Sequence, residues 1–248
     1  MAISLGNREI YMRCFISHPW ANHIHHFALR LTRELRELGV DVWIDQEQME
    51  PGQTIMTRQL NGIQYETDIF IFVLAIATLQ SDNCMEELKT ASRIGKPIIT
   101  IILERCEIPE FLSKSITVDF TNPIYFDASV ARLLAGAEKL YRLHKVTDIL
   151  NDDNPENRSE AARILGDTHD PRMLKPILTR IEVEQDETVK YWLITALGDL
   201  IEPNQEEGKI AMQLLNKSAK TETRFVQRGV AVALQKLRSR YPDSGVDQ

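Results

Sequence analysis

Nine consecutive apolar residues, Ile69 to Ala77, are too few to cross a bilayer and too unbroken for a strand with one wet face. A strand with no polar positions is covered on both sides. That is the condition of an interior strand in a parallel sheet. The flanking pattern agrees. "IYMRCFIS" (10–17), "VDVWID" (40–45), "DIFIFVLA" (68–75), "PIITIIL" (97–103) and the weaker "SITVDF" (115–120) read as five strands. Between them lie helical patterns at 20–38, about 54–64 and about 82–94, and another helix starts near Phe126. Strand and helix alternating over short connections imply right-handed crossovers and a parallel sheet with helices on both faces. Such sheets bind ligands at the carboxyl ends of their strands.

The pattern changes at about residue 142. Beyond it no strand signal remains. "EAARILGD" (160–167) is echoed by "ITALGDL" (194–200) and more faintly by "AVALQKL" (231–237). Helix pairs at a period of some 30–40 residues suggest an α-solenoid, in which Ala161, Ala162, Ala196 and Ala233 let helices approach closely. An undistinguished helical bundle is the other reading. The chain thus divides into an α/β domain at 8–142 and an all-α domain at 143–240.

The two halves carry similar charge: 14 basic and 18 acidic side chains in residues 1–142, 15 and 18 in residues 143–248. The net charge of -7 makes nucleic acid and anionic membranes poor partners. Cys14, Cys84 and Cys106 are an odd number in mostly apolar surroundings, which fits reduced thiols. The N-terminal residues lack the pattern of a signal peptide, and no apolar run nears the roughly 20 residues of a membrane span. A cytoplasmic location is the expectation.

Four segments, in order, resemble the boxes of the TIR family: "FISHPW" (15–20), "GVDVWIDQEQMEPGQTI" (39–55), "DIFIFVLA" (68–75) and "SDNCMEEL" (81–88). The resemblance implies a flavodoxin-like TIR fold with a five-stranded parallel sheet. The second half is similar to short HEAT repeats, giving a HEAT-like solenoid or helical bundle. One departure is visible: Arg13 stands where the first TIR strand usually has Asp.

The resemblance also implies two activities. Some TIR domains only bind other TIR domains; others cleave NAD+ at the nicotinamide–ribose bond with the glutamate of Cys-x-x-Glu, here Glu87. The helical period supports Glu87 over Glu86 independently. Glu87 borders the apolar face beside Cys84, whereas Glu86 lies about 200° around from Leu88 and points to water. The competing reading is that both merely suit a helix N-terminus. By matching boxes, Phe15, Ser17, His18 and Trp20 at the first strand end, Asp45, Glu50 and Gly52 in the following loop, and Cys84 would meet substrate. Trp20 either stacks on a base or anchors the start of its helix. No GxGxxG or P-loop is present, which argues against a redox dinucleotide site or an NTPase.

One carboxylate suffices chemically. Nicotinamide is cationic in NAD+ and leaves neutral, so the second carboxyl that ordinary glycoside cleavage needs is dispensable. A fixed anion facing the developing oxocarbenium charge lowers the barrier. NAD+ would be substrate, and no resident cofactor is expected. His18, His23, His25 and His26 lack metal-ligand spacing, so no metal is expected. Other implied partners are further TIR domains, through the Gln46–Gln53 loop, and a protein ligand of the HEAT-like half. A hydrolase or cyclase of bacterial effector or anti-phage type, and a non-catalytic scaffold, are the two functional expectations.

Overall fold

The computed structural model describes residues 3–4, 9–10, 12–44, 60–112 and 115–242. The chain splits into two compact units, Met1–Arg142 and Leu143–Gln248.

In the first unit a short antiparallel pair, β1 (Ile3–Ser4) and β2 (Glu9–Ile10), precedes the main sheet. The sheet has five parallel strands: β3 (Arg13–Ser17), β4 (Asp41–Ile44), β5 (Ile69–Leu74), β6 (Ile98–Ile102) and β7 (Ile116–Asp119). Their spatial order is β4-β3-β5-β6-β7. The unbroken apolar run therefore supplies the central strand, and all six residues of β5 are buried. Its alternation divides the core in two. Ile69, Ile71 and Val73 belong to one apolar cluster with Ile24, Ala28 and Leu31 of α1 (Asn22–Glu37). Phe70, Phe72 and Leu74 belong to another with Cys84, Leu88 and Ala91. The period of two along a strand produces this division.

β5 ends earlier than its sequence suggests. Ala75 leaves the strand, and Ile76–Leu79 form a single helical turn, α2. α3 (Asp82–Arg93) follows, its first turn capped by Ser81, whose Oγ accepts from Cys84 N–H at 3.4 Å. Gly95, at φ +73°, turns the chain back towards β6, a backbone geometry that a side chain resists. The helix expected over 54–64 falls mostly outside the described residues. What is described there is a π-turn, Gly62–Glu66, whose Gly62 leaves no room for a Cβ beside the Trp43 ring. Arg13 opens β3 at the amino edge of the sheet, where its N–H donates to Asp68 at 3.0 Å. The departure from the TIR pattern thus lies at the end of the strand remote from the sheet's carboxyl edge.

α4 (Phe126–Ile149) contains the point where the two units divide. The second unit is helical: α5 (Pro155–Asp167), α6 (Leu174–Val183), α7 (Glu187–Leu200), α8 (Glu206–Thr221) and α9 (Arg224–Arg240). Glycines meet two of the alanines flagged in sequence, Ala196 and Ala233, at close helix approaches. A Cβ on Gly166 of α5 would come within 3.0 Å of the Ala196 Cβ on α7. A Cβ on Gly198 of α7 would come within 2.7 Å of the Ala233 backbone on α9. Beside this stack the buried Glu184 carboxylate accepts from the guanidiniums of Arg158 and Arg180 and from the N–H groups of Gln185 and Asp186.

Candidate functional site

Ser17 is the last residue of β3, and parallel pairing sets it against Phe72 of β5. That register puts its hydroxyl at the carboxyl edge of the sheet's centre. α3 packs on the Phe72 side, so its first turns reach the same edge. There the Ser17 hydroxyl donates to Glu87 Oε2 at 2.6 Å. Both residues are buried, Glu87 with 4% and Ser17 with 1% of its surface exposed. Glu86, its sequence neighbour, faces outward, 3.9 Å from Lys89 Nζ. The helical phase therefore separates the two glutamates: one carboxylate enters the edge and the other does not.

His18 continues the edge. Burial pushes its imidazole down to about 4, against the opposing pull of the Ile16 carbonyl, so the ring is neutral at neutral pH. Its Nε2 lies 2.9 Å from His25 Nδ1, and its Nδ1 lies 3.4 Å from the Ile16 carbonyl oxygen. A carbonyl can only accept, so the proton sits on His18 Nδ1, and His25 Nδ1–H donates to His18 Nε2. The His18 and His25 rings stack at 5.2 Å, and Trp20 stacks on His25 at 4.6 Å. Trp20 stands just before α1 with half its surface exposed. It is an anchor at the start of that helix and retains an open indole face.

A second strap crosses the rim. Glu104, just beyond β6, accepts from the His23 ring at 2.8 Å and from Ile76 N–H at 2.9 Å. The His23 hydrogen bond and then the Ile76 amide hold its carboxyl below the ordinary range. His25, His23 and Glu104 were not singled out for these roles in sequence. The histidine run was visible, but the stacking and the strap depend on tertiary placement.

The remaining expectations divide. Phe15 has no exposed surface and packs on Trp43 at 4.4 Å and Phe70 at 5.6 Å, and Cys84 is buried in the same cluster. In the structure these two side chains belong to the wall that carries Ser17 and Glu87. Asp45, Glu50 and Gly52 lie outside the described residues. Among the described residues no three His, Cys, Asp or Glu side chains converge as metal ligands.

The family model of the TIR domain matches residues 14–134, and that of HEAT repeats matches residues 143–235. The first segment belongs to the TIR family, the second to the HEAT repeats. Among solved structures, the TIR domain of a Toll-related receptor from Hydra magnipapillata is similar at 17% identity and a TM-score of 0.44. That likeness covers 50% of this chain and 97% of the receptor domain. A search of the curated proteins found no match. No helix among the described residues is long and apolar enough to cross a membrane.

Proposed function

We propose that the TIR segment cleaves NAD+ at the nicotinamide–ribose bond, with Glu87 as the carboxylate that faces the developing positive charge. The observation that carries this reading is the hydrogen bond of 2.6 Å from Ser17 to Glu87, made at the carboxyl edge of the sheet's central strands. A hydroxyl donated to one carboxylate oxygen fixes the side chain's rotation. Neutral His18 nearby supplies no competing cation. Both groups are in place before substrate arrives, as electrostatic stabilisation requires. Water as the second nucleophile would give ADP-ribose, and a base of the same molecule would give a cyclic product.

The burial of Glu87 favours a second reading. A carboxylate with 4% of its surface exposed and a serine partner also suits a purely structural role. The chain would then be a scaffold whose TIR and HEAT segments bind proteins. Free nicotinamide separates the two. Concentrated protein with NAD+ should release it, Glu87→Ala should abolish release, and Glu86→Ala should keep most of it. Absence of release at every protein concentration, or equal loss in both variants, removes the enzyme reading.

The activity would depend on self-association through the Gln46–Gln53 loop, with a neighbouring TIR domain completing the pocket. Specific activity should then rise with protein concentration. A mixture of inactive Glu87→Ala and Gly52→Glu chains should regain part of it. A flat concentration profile with no regain places the whole site in one chain. In this scheme the HEAT segment, binding a protein partner, sets when the chains meet; such a device fits an effector or anti-phage role.

A further inference from the structure

A cavity of about 360 Å³ opens beside the far half of α3. Its size lies at the lower end of the range for small-molecule sites, roughly 300–1,000 Å³. Leu88 and Leu112, both buried, form its floor. Met85 and Ile98 stand at its sides, and Phe111, 62% exposed, stands at its mouth. Lys89 and Arg93, one helical turn apart, are exposed on the rim. Among the described residues Arg93 has no ion pair, and Lys89 has only the long contact of 3.9 Å with the half-exposed Glu86.

This cavity is separate from the site at Ser17 and Glu87. By the helical period, Glu87 projects about 160° away from Met85 and from the stripe that lines the cavity.

We propose that the cavity binds a small carboxylate with an apolar body, the chain lying on Leu88 and Leu112 and the carboxylate lying between Lys89 and Arg93. The walls alone would accept any small apolar molecule. The two cations decide among them. A neutral ligand gains nothing from the rim, a cationic one is repelled, and an anion meets a guanidinium with no competing partner. Among the described residues Glu86 is the carboxylate in contact with a rim cation, and it competes with the ligand for Lys89.

Octanoate, octanol and octylammonium are the probes, titrated into the full chain by calorimetry, with the Met85 methyl signal as a local reporter. Octanoate should bind saturably, one molecule per chain, and should shift the Met85 signal. Octylammonium should bind at least about tenfold more weakly, since one opposed charge at a partly desolvated rim is worth about that factor. Lys89→Glu with Arg93→Glu should weaken octanoate and leave octanol unchanged. Glu86→Gln should tighten octanoate by freeing Lys89. Ser92→Phe, which fills the cavity from its exposed edge, should abolish binding. Equal affinity for octanoate and octylammonium, absence of saturable binding, or octanoate binding that survives Ser92→Phe would overturn the proposal. The comparison of the three probes needs no variant to fold.

Discussion

Ser17 and Glu87 stand seventy positions apart in sequence and meet through a hydroxyl–carboxylate hydrogen bond of 2.6 Å between two buried side chains. Ser17→Ala leaves that carboxylate oxygen short of a donor. Stability should fall by about 1–3 kcal/mol, the usual consequence of removing a hydrogen-bond donor from a buried polar group. In a double-mutant cycle with Glu87→Ala, the paired variant should lose less than the sum of the singles. Urea denaturation followed by circular dichroism measures both. Additive losses would mean that the bond carries no coupling.

His18 gives the TIR segment a defined response to acid. Its imidazole is lowered from 6.5 to about 4 by burial, so the unfolded chain takes up a proton that the folded chain refuses. Stability should therefore fall as pH drops from about 6.5 to 4, by roughly 3 kcal/mol in all. His18→Gln should flatten that window and leave the slope below pH 4 unchanged. Chemical denaturation at stepped pH tests this. An unchanged slope in the variant would assign the dependence to other groups.

The HEAT segment should respond in a different range. Burial alone would raise the Glu184 carboxyl; Arg158, Arg180 and the two amides overcome it and bring it down to about 2. Its stabilisation is complete above about 4.5 and is lost as pH falls towards 2, again roughly 3 kcal/mol. Arg158→Met removes the bidentate partner and should destabilise by about 3–5 kcal/mol at neutral pH. Calorimetry from pH 5 to 2 on wild type and variant measures both effects. A variant as stable as wild type would show that Arg180 and the backbone amides suffice.

Much of the α/β fold was legible because the strands are short, apolar and regularly separated. β5 was plain for that reason. Its end was read at Ala75, one residue beyond Leu74, since hydrophobicity does not distinguish the end of a strand from the start of the helical turn α2. Glu87 was legible from helical phase. The Trp20–His25–His18 stack was not, because ring contacts across a loop leave no periodic trace. Phe15 was named from the box it opens, and a box match does not say how deeply a side chain is buried.

Glycine spacing in the helical stack gives a further test. Gly198→Ala should destabilise by about 1–3 kcal/mol, because the added methyl meets the Ala233 backbone at 2.7 Å. Gly136→Ala in α4 is the control. Its nearest neighbour is the Ile116 methyl at 3.4 Å, so the change should be neutral or stabilising by up to about 1 kcal/mol. Thermal unfolding of both variants decides. Equal effects would mean that backbone approach does not set the helix spacing.

Gly166 and Gly198 mark where successive helices of the stack meet. Gly166 of α5 receives Ala196 of α7, and Gly198 of α7 receives Ala233 of α9. In α7 the alanine faces backward and the glycine two residues later faces forward. In α9 the forward place belongs to Gln235, whose side chain is exposed. A helix arriving there would meet an amide where its predecessors met bare backbone, so the alternation that propagates the stack halts at one side chain. Gln235→Gly would restore the opening and, with it, a face ready to accept one more unit of the same kind.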